Sequence, residues 1–229
     1  MLDQRAEEAR YRVEQDPHAG LSPLRAGVPL EDATFALVLV HGRGGSPTGM
    51  LPLVRAAGAL DGAVIAPTAA HGSWYPDRFL DPVANNEPWL SSALAAVGRG
   101  VQEARDAGIP SERIVLAGFS QGACLALEFV ARNPERYAGV AALAGALIGD
   151  NGEVRAIGTE VCGTPILLAC GDVDAHIPES RVRTSATSFT NAGAEVDLRI
   201  YPGLGHTVVE DQIDALRIMI DGVRAQSNA

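Results

Sequence analysis

Short apolar runs recur along the chain, separated by segments in which apolar residues return every three or four positions. The runs lie at residues 35–40, 63–66, 113–117 and 165–169, with 137–143 and 195–201 as further candidates. Runs of this length suit β-strands, and continuous apolar character is typical of strands that are covered on both faces. The pattern therefore predicts the buried strands of a parallel sheet.

The segments between these runs predict helices. The clearest follows Pro88 and places apolar residues on one side at helical spacing, namely Leu90, Leu94, Val97 and Val101. Further helices are predicted at residues 1–16, from just after Ser120 to about 133, at 179–191 and at 209–223. Strand and helix thus alternate, which predicts an α/β protein with a mostly parallel, twisted sheet and helices on both faces.

Length and composition favour one folded unit behind a short extension. The chain has 229 residues, of which 47% are hydrophobic, which is enough for one sizeable core. Proline and glycine punctuate residues 17–29, so we expect an N-terminal extension at 1–30 and a single domain at 31–229.

The charge balance narrows the classes of partner. Eighteen Lys and Arg against 28 Asp and Glu give a net charge of -10, the wrong sign for binding nucleic-acid phosphates or anionic membranes. No apolar run approaches the roughly 20 residues of a transmembrane helix, so stable membrane insertion is not expected. Three cysteines without CxxC spacing, and an N-terminus charged from Asp3 onward, favour a cytoplasmic location and no zinc site.

One serine lies in a setting that indicates covalent catalysis. The segment 118–122, Gly-Phe-Ser-Gln-Gly, falls between an apolar run and a helical pattern. A Gly-x-Ser-x-Gly turn between a strand and a helix strains the serine backbone and exposes its hydroxyl. We therefore predict that Ser120 is a nucleophile, in preference to a serine that only caps the helix.

A serine nucleophile requires a histidine to take its proton and a carboxylate to orient that histidine. After such a turn the acid comes next along the chain and the histidine last. Asp174, just after the run at 165–169, is the preferred acid, with Asp172 as its competitor and a plain turn as the other interpretation. His206, between the last run and the last helix, is the predicted histidine.

Two backbone N–H groups are candidates for stabilising the oxyanion that attack on an ester would create. One belongs to Gln121, directly after the serine, and the other to Arg43 in the loop His-Gly-Arg-Gly-Gly at 41–45. That loop has neither the GxGxxG nor the GxxxxGK[ST] spacing, so nucleotide binding is not expected.

Residues 67–87 follow neither the strand period nor the helix period. A connection of this length inside a compact domain is typically functional. It carries His71, Trp74, Tyr75 and Phe79, which we predict to line a substrate cleft.

These features together resemble the carboxylesterase and phospholipase-like family, which includes the acyl-protein thioesterases. The matching motifs span about residues 34–222 and are His41-Gly42-x-Gly44-Gly45, Ser73-Trp74-Tyr75, Gly108-Ile109-Pro110 with Ser111-x-Arg113-Ile114, Gly118-Phe119-Ser120-Gln121-Gly122, Gly171-Asp172-x-Asp174 with Ile177-Pro178, and Gly205-His206. The resemblance implies an α/β-hydrolase fold and a hydrolase of carboxylic esters or thioesters that needs no metal or cofactor. It also implies the triad Ser120, Asp174 and His206.

Two departures limit the resemblance. Position 43 is Arg where many relatives carry Leu, and residues 80–87 differ from the thioesterases, so protein depalmitoylation is not inherited. The Arg43 side chain is either solvated or in contact with an anionic part of the substrate.

The sequence does not decide between several functions or fix the oligomeric state. The alternative functions are a dienelactone-type or other cyclic-ester hydrolase, although that subgroup typically uses Cys, and a non-catalytic binding protein on the same fold. The expected partner is a small-molecule ester or thioester, and a homodimer is left open.

Overall fold

The computed structural model describes residues 16–227. Within this range seven strands form one sheet in the order β1-β3-β2-β4-β5-β6-β7. The strands are β1 (Leu24–Gly27), β2 (Ala36–Val40), β3 (Ala63–Ala66), β4 (Ile114–Phe119), β5 (Gly139–Leu143), β6 (Pro165–Gly171) and β7 (Glu195–Tyr201). β1 is antiparallel to β3, and all other neighbouring pairs are parallel.

Helices connect most of the parallel strands. Over the described residues the α-helices are α1 (Leu51–Ala56), α2 (Trp89–Asp106), α3 (Gln121–Arg132), α4 (Glu179–Asn191) and α5 (Glu210–Ser227). Short 3-10 turns lie at Leu30–Asp32, Thr48–Met50, Ala59–Asp61, Ala70–Gly72, Val83–Asn86, Ser111–Arg113 and Thr159–Val161. All but the last residue of the helix predicted at 1–16 lie outside the described range. None of the helices at residues 16–227 is both long and apolar enough to cross a bilayer.

The sheet carries an apolar layer on each face. Along β2, Ala36, Val38 and Val40 join a cluster with residues of α2, α3 and α4, whereas Leu37 and Leu39 join a cluster with residues of α1 and α5. Successive side chains of a strand point to opposite faces. Both faces of β2 are therefore buried, which explains its continuous apolar run and confirms the predicted α/β architecture.

Two elements were not predicted from the sequence. β1 lies inside the segment assigned to an N-terminal extension, so the sheet begins before residue 31. Its burial alternates along the strand, as expected at a sheet edge, and its four residues, Leu-Arg-Ala-Gly, show no apolar run. The other element, α1, is too short to display a helical period.

Glycines allow α3 to start directly against the sheet. A Cβ at Gly122 would collide with the backbone carbonyl oxygen of Val40, and one at Gly118 would collide with that of Gly122 itself. The end of β4, the start of α3 and the end of β2 thus meet backbone to backbone. This contact brings the turn at Ser120 beside the loop that follows β2.

We predict that Gly122→Ala lowers the free energy of unfolding by about 1–3 kcal/mol or more, because the added methyl meets backbone that cannot move aside. Gly222→Ala is the matched control, since that helical glycine has open space around its Cβ position. It should raise stability by roughly 0.5–1 kcal/mol. Urea unfolding of both variants measures the difference, and equal effects would contradict the packing described.

Candidate active site

Ser120 occupies a strained turn between β4 and α3. Its φ of 56° and ψ of -122° lie in a region that residues other than glycine rarely adopt. Its N–H donates to the carbonyl of Leu143 (2.9 Å) and its carbonyl accepts from the N–H of Cys124 (3.0 Å). These hydrogen bonds hold the turn in place and leave the hydroxyl free to face the cavity.

His206 connects Ser120 to Asp174 by hydrogen bonds. Its Nε2 lies 2.8 Å from Ser120 Oγ, and its Nδ1 lies 2.6 Å from Asp174 Oδ2. A carboxylate only accepts hydrogen bonds, so Nδ1 carries the proton and Nε2 is left to accept the hydroxyl proton of Ser120. This is the tautomer that a general base acting on the serine requires.

Asp174 is held by four donors. Oδ2 accepts from His206 and from the Cys170 thiol (3.6 Å), and Oδ1 accepts from the N–H groups of His176 (2.8 Å) and Ile177 (3.0 Å). Burial is the largest single influence on the pKa of Asp174 and would raise it. The hydrogen bonds from His206, Ile177 and His176 together outweigh burial and hold the pKa below its usual value of 3.8. Asp174 therefore stays ionised throughout the neutral range.

The competing acid, Asp172, has a different partner. Its Oδ1 accepts from the N–H of Gly203 (2.7 Å) in the turn after β7. A Cβ at Gly171, just before it, would collide with the carbonyl of Leu204. Asp172 thus joins the end of β6 to the loop that carries the histidine, and Asp174 is the carboxylate that the structure brings to His206.

Ser120 and His206 line an open cavity of about 630 Å³. Its wall combines apolar side chains with a charged rim. The apolar residues are Tyr75, Phe79, Phe119 and Ile177, and the charged ones are Arg43, Asp77, Arg78 and Asp81. Within residues 16–227 no cluster of His, Cys, Asp and Glu suits a metal ion.

The predicted substrate residues are placed differently from one another. Tyr75 lines the cavity, but Trp74 and His71 do not. Trp74 is completely buried, and its indole N–H already donates to the carbonyl of His41 (2.7 Å). His71 is exposed on a 3-10 turn, with its ring near Trp89 rather than the cavity. The assignment of these two residues to the cleft wall is therefore corrected.

Other residues that line the cavity were not predicted from the sequence. Phe119 and Cys124 both border the cavity. The available signal was their spacing from Ser120, because Phe119 precedes it directly and Cys124 follows it by four residues, on the same side of α3. Burial raises the pKa of Cys124 to about 12, so the thiol stays protonated at neutral pH.

Both predicted oxyanion residues, Arg43 and Gln121, also line the cavity. Gly42, directly before Arg43, lies so close to Ser120 that a Cβ there would be 3.3 Å from the serine Cβ. The Arg43 side chain is exposed, as one of the two predictions has it, and it also donates to the backbone carbonyls of Tyr75, Pro76 and Asp77.

Two buried histidines fix the start of the loop that forms the cavity wall. His18 Nδ1 accepts from the N–H of Ala70 (3.0 Å) and its Nε2 donates to the carbonyl of Trp74 (2.9 Å). His41 Nε2 accepts from the N–H of Ala69 (3.3 Å). Each imidazole must be neutral to accept such a bond. Burial lowers the pKa of both histidines and so favours this neutral form.

The fold and this arrangement of residues define an α/β-hydrolase of the carboxylic ester hydrolase class. Comparison with known protein families, proteins and structures agrees with this class. The family model for phospholipases and carboxylesterases matches residues 28–223. The chain therefore belongs to the phospholipase/carboxylesterase family, which confirms the resemblance noted from its motifs.

Individual relatives differ in how much of their length is matched. The solved phospholipase/carboxylesterase of Dyadobacter fermentans is 40% identical, with a TM-score of 0.83 over 88% of this chain and 96% of that one. Acyl-protein thioesterase 1 of Saccharomyces cerevisiae is 26% identical over 87% of this chain and 97% of its own. A protein of Oryza sativa subsp. japonica, named a probable carboxylesterase, is 30% identical over 65% of this chain but only 57% of its own length.

We predict that the free energy of unfolding falls as the pH is lowered from about 7 to 5, partly through His18. The folded-state pKa of His18 lies below its ordinary value of 6.5. The unfolded chain thus binds more protons in this range, which favours unfolding as the pH falls. His18→Gln, which keeps a donor for Trp74, should weaken this pH dependence. His71→Gln is the exposed control and should leave it unchanged. Urea unfolding at several pH values tests this, and an unaltered slope for His18→Gln would contradict it.

Proposed function

We propose that this protein is a serine esterase, which transfers the acyl group of a carboxylic ester or thioester to Ser120 and then to water. The observation that carries the proposal is the unbroken chain of hydrogen bonds from Ser120 Oγ through His206 to Asp174, at 2.8 and 2.6 Å, on the border of an open cavity. A nucleophile, a base and an orienting acid in this geometry are what acyl transfer requires.

The first half of the reaction acylates the serine. His206 Nε2 takes the hydroxyl proton while Ser120 Oγ attacks the carbonyl carbon of the substrate, which gives a tetrahedral oxyanion. The imidazolium of His206, stabilised by the Asp174 carboxylate, then gives the proton to the departing alcohol or thiol. The bond to the leaving group breaks and the acyl group remains on Ser120.

The second half repeats these steps with water. His206 takes a proton from a water molecule, whose oxygen attacks the acyl carbon. The proton then returns to Ser120 Oγ as the bond from the serine to the acyl carbon breaks. The products are a carboxylic acid and the free enzyme.

The backbone N–H groups of Arg43 and Gln121 are proposed to stabilise the oxyanion. Gln121 is the first residue of α3, so its N–H has no acceptor within the helix. The positive end of the helix dipole adds to its effect on a developing negative charge. Arg43 follows Gly42, which lies directly against Ser120. Each such donor typically contributes about 3 kcal/mol to transition-state stabilisation.

The cavity favours a substrate of small-molecule size. Its volume of about 630 Å³ falls within the usual range of roughly 300–1,000 Å³ for ligand pockets. Aromatic and aliphatic side chains border the serine and suit an acyl group, while the charged rim suits a more polar alcohol or thiol portion. Proteins named acyl-protein thioesterase among the relatives support thioesters as a second substrate class.

We expect Ser120→Ala to lower kcat for p-nitrophenyl esters on the order of 10⁵- to 10⁶-fold, because no nucleophile remains. The variant should also lose labelling by a fluorophosphonate probe and the initial burst of nitrophenol. Ser91→Ala is the matched control, since Ser91 is exposed on α2. A retained burst after removal of Ser120 would overturn the proposal.

The two carboxylates of the acid loop should respond differently to the same substitution. Asp174→Asn should lower kcat on the order of 10⁴-fold, because the amide can favour the wrong tautomer of His206. Asp172→Asn should leave kcat within about tenfold, because its oxygen can still accept from Gly203. Steady-state kinetics of both variants decide the assignment, and a larger loss for Asp172→Asn would reverse it.

A further inference from the structure

The exposed Arg43 side chain binds the backbone of the cavity wall. Its Nη1 donates to the carbonyl of Pro76 (2.6 Å), and its Nη2 donates to the carbonyls of Tyr75 (3.0 Å) and Asp77 (2.5 Å). These acceptors lie 32 to 34 residues further along the chain. One planar guanidinium thus holds three consecutive backbone carbonyls, which a single-point donor could not match in geometry.

The Gln121 side chain binds the same segment. Its Oε1 accepts from the N–H of Trp74 (3.0 Å), and its Nε2 donates to the carbonyl of Tyr75 (2.8 Å). Gln121 is only 6% exposed. A buried amide without partners is costly, so these two bonds fix both the side chain and the backbone it contacts.

The carbonyl of Tyr75 is where the two side chains meet. It accepts from Arg43 and Gln121, and also from the hydroxyl of Ser73 (2.9 Å). Tyr75 itself lines the cavity. Two of the three residues that bind its carbonyl, Arg43 and Gln121, are those whose N–H groups are proposed to stabilise the oxyanion.

We propose that Arg43 and Gln121 are positioning residues whose side chains form a clamp on residues 74–77, coupling the cavity wall to the two oxyanion donors. The coupling rests on the proposed function, since it concerns the same N–H groups. Movement of the wall would be transmitted through the clamp to Arg43 and Gln121, and would misplace their donors. A displacement of about 1 Å at a reacting centre can cost roughly 100-fold in rate.

The clamp also gives the positive charge of Arg43 at the cavity a role that does not involve the substrate. Three donor contacts of the Arg43 guanidinium are taken by carbonyls. An anionic group that bound the same N–H groups would have to displace these carbonyls and release residues 74–77. Arg43 is therefore expected to act on kcat for neutral and anionic esters alike, rather than on KM for anionic ones.

The test compares Arg43→Met and Gln121→Met, which keep the backbone N–H and much of the side-chain volume, with Arg55→Met as the matched control. Arg55 is exposed near the end of α1. Hydrogen-deuterium exchange of peptides covering residues 69–81 reports the clamp independently of catalysis. Kinetics on a neutral and an anionic p-nitrophenyl ester report its effect on the reaction.

The clamp predicts faster exchange at 69–81 in both variants and not in the control. It also predicts a fall in kcat of about 10- to 100-fold for both esters, with a smaller change in KM. Because Arg43 and Gln121 act on one segment, the double variant should lose much less than the product of the two single losses. Unchanged exchange, or a loss confined to KM for the anionic ester, would overturn the clamp.

Arg43→Lys tests whether a different charged donor restores part of the clamp. It keeps a charged donor that can reach part of the segment, so its exchange and kcat should lie between those of wild type and Arg43→Met. Recovery to the wild-type values would mean that one charged donor is enough, and would overturn the three-carbonyl clamp. If Arg43→Met does not fold, the lysine variant alone is compared with Arg55→Met by the same measurements. A wild-type protein without esterase activity would reject the proposed function, whereas the exchange data would still decide whether the clamp exists.

Discussion

Backbone contact between the start of α3 and the end of β2 is the constraint on which the site depends. Gly122 lies against the carbonyls of Val40 and His41, with no room for a side chain between them. The serine turn and the loop after β2 therefore share one edge of the sheet. The acid and histidine loops, which follow β6 and β7, reach the same edge because parallel strands all end there. Sheet direction thus assembles groups that are far apart along the chain.

The features that could be predicted from the sequence are those that depend on regular periodicity or on the order of residues along the chain. Both faces of the central strands are buried, so continuous apolar runs identify these strands in the sequence. The bounds predicted for the last strand, 195–201, agree with β7. Ser120, Asp174 and His206 were predicted from their places after strands, and His206 lies within hydrogen-bonding distance of both Ser120 and Asp174. Their catalytic roles stay a prediction until activity is measured.

The loop that forms the cavity wall was less predictable, because an irregular segment has no period to show which of two adjacent residues faces inward. Trp74 and Tyr75 are both buried, but of the two only Tyr75 borders the cavity. The difference is decided by long-range contacts, such as the bond from His18 to the carbonyl of Trp74 across 56 positions. The partners of the Arg43 guanidinium were unpredictable for the same reason. Backbone carbonyls carry no residue-specific signal in a sequence.

The strained backbone at Ser120 affects which substitutions stabilise the protein at this position. A non-glycine residue at such φ and ψ costs about 1–3 kcal/mol, which the surrounding fold must offset. Replacing the serine by glycine would relieve that cost and remove the hydroxyl that lies beside His206 in a single step. Selection for stability alone would therefore favour glycine at this position. If Ser120 is the nucleophile proposed above, stability and activity place opposite demands on this turn.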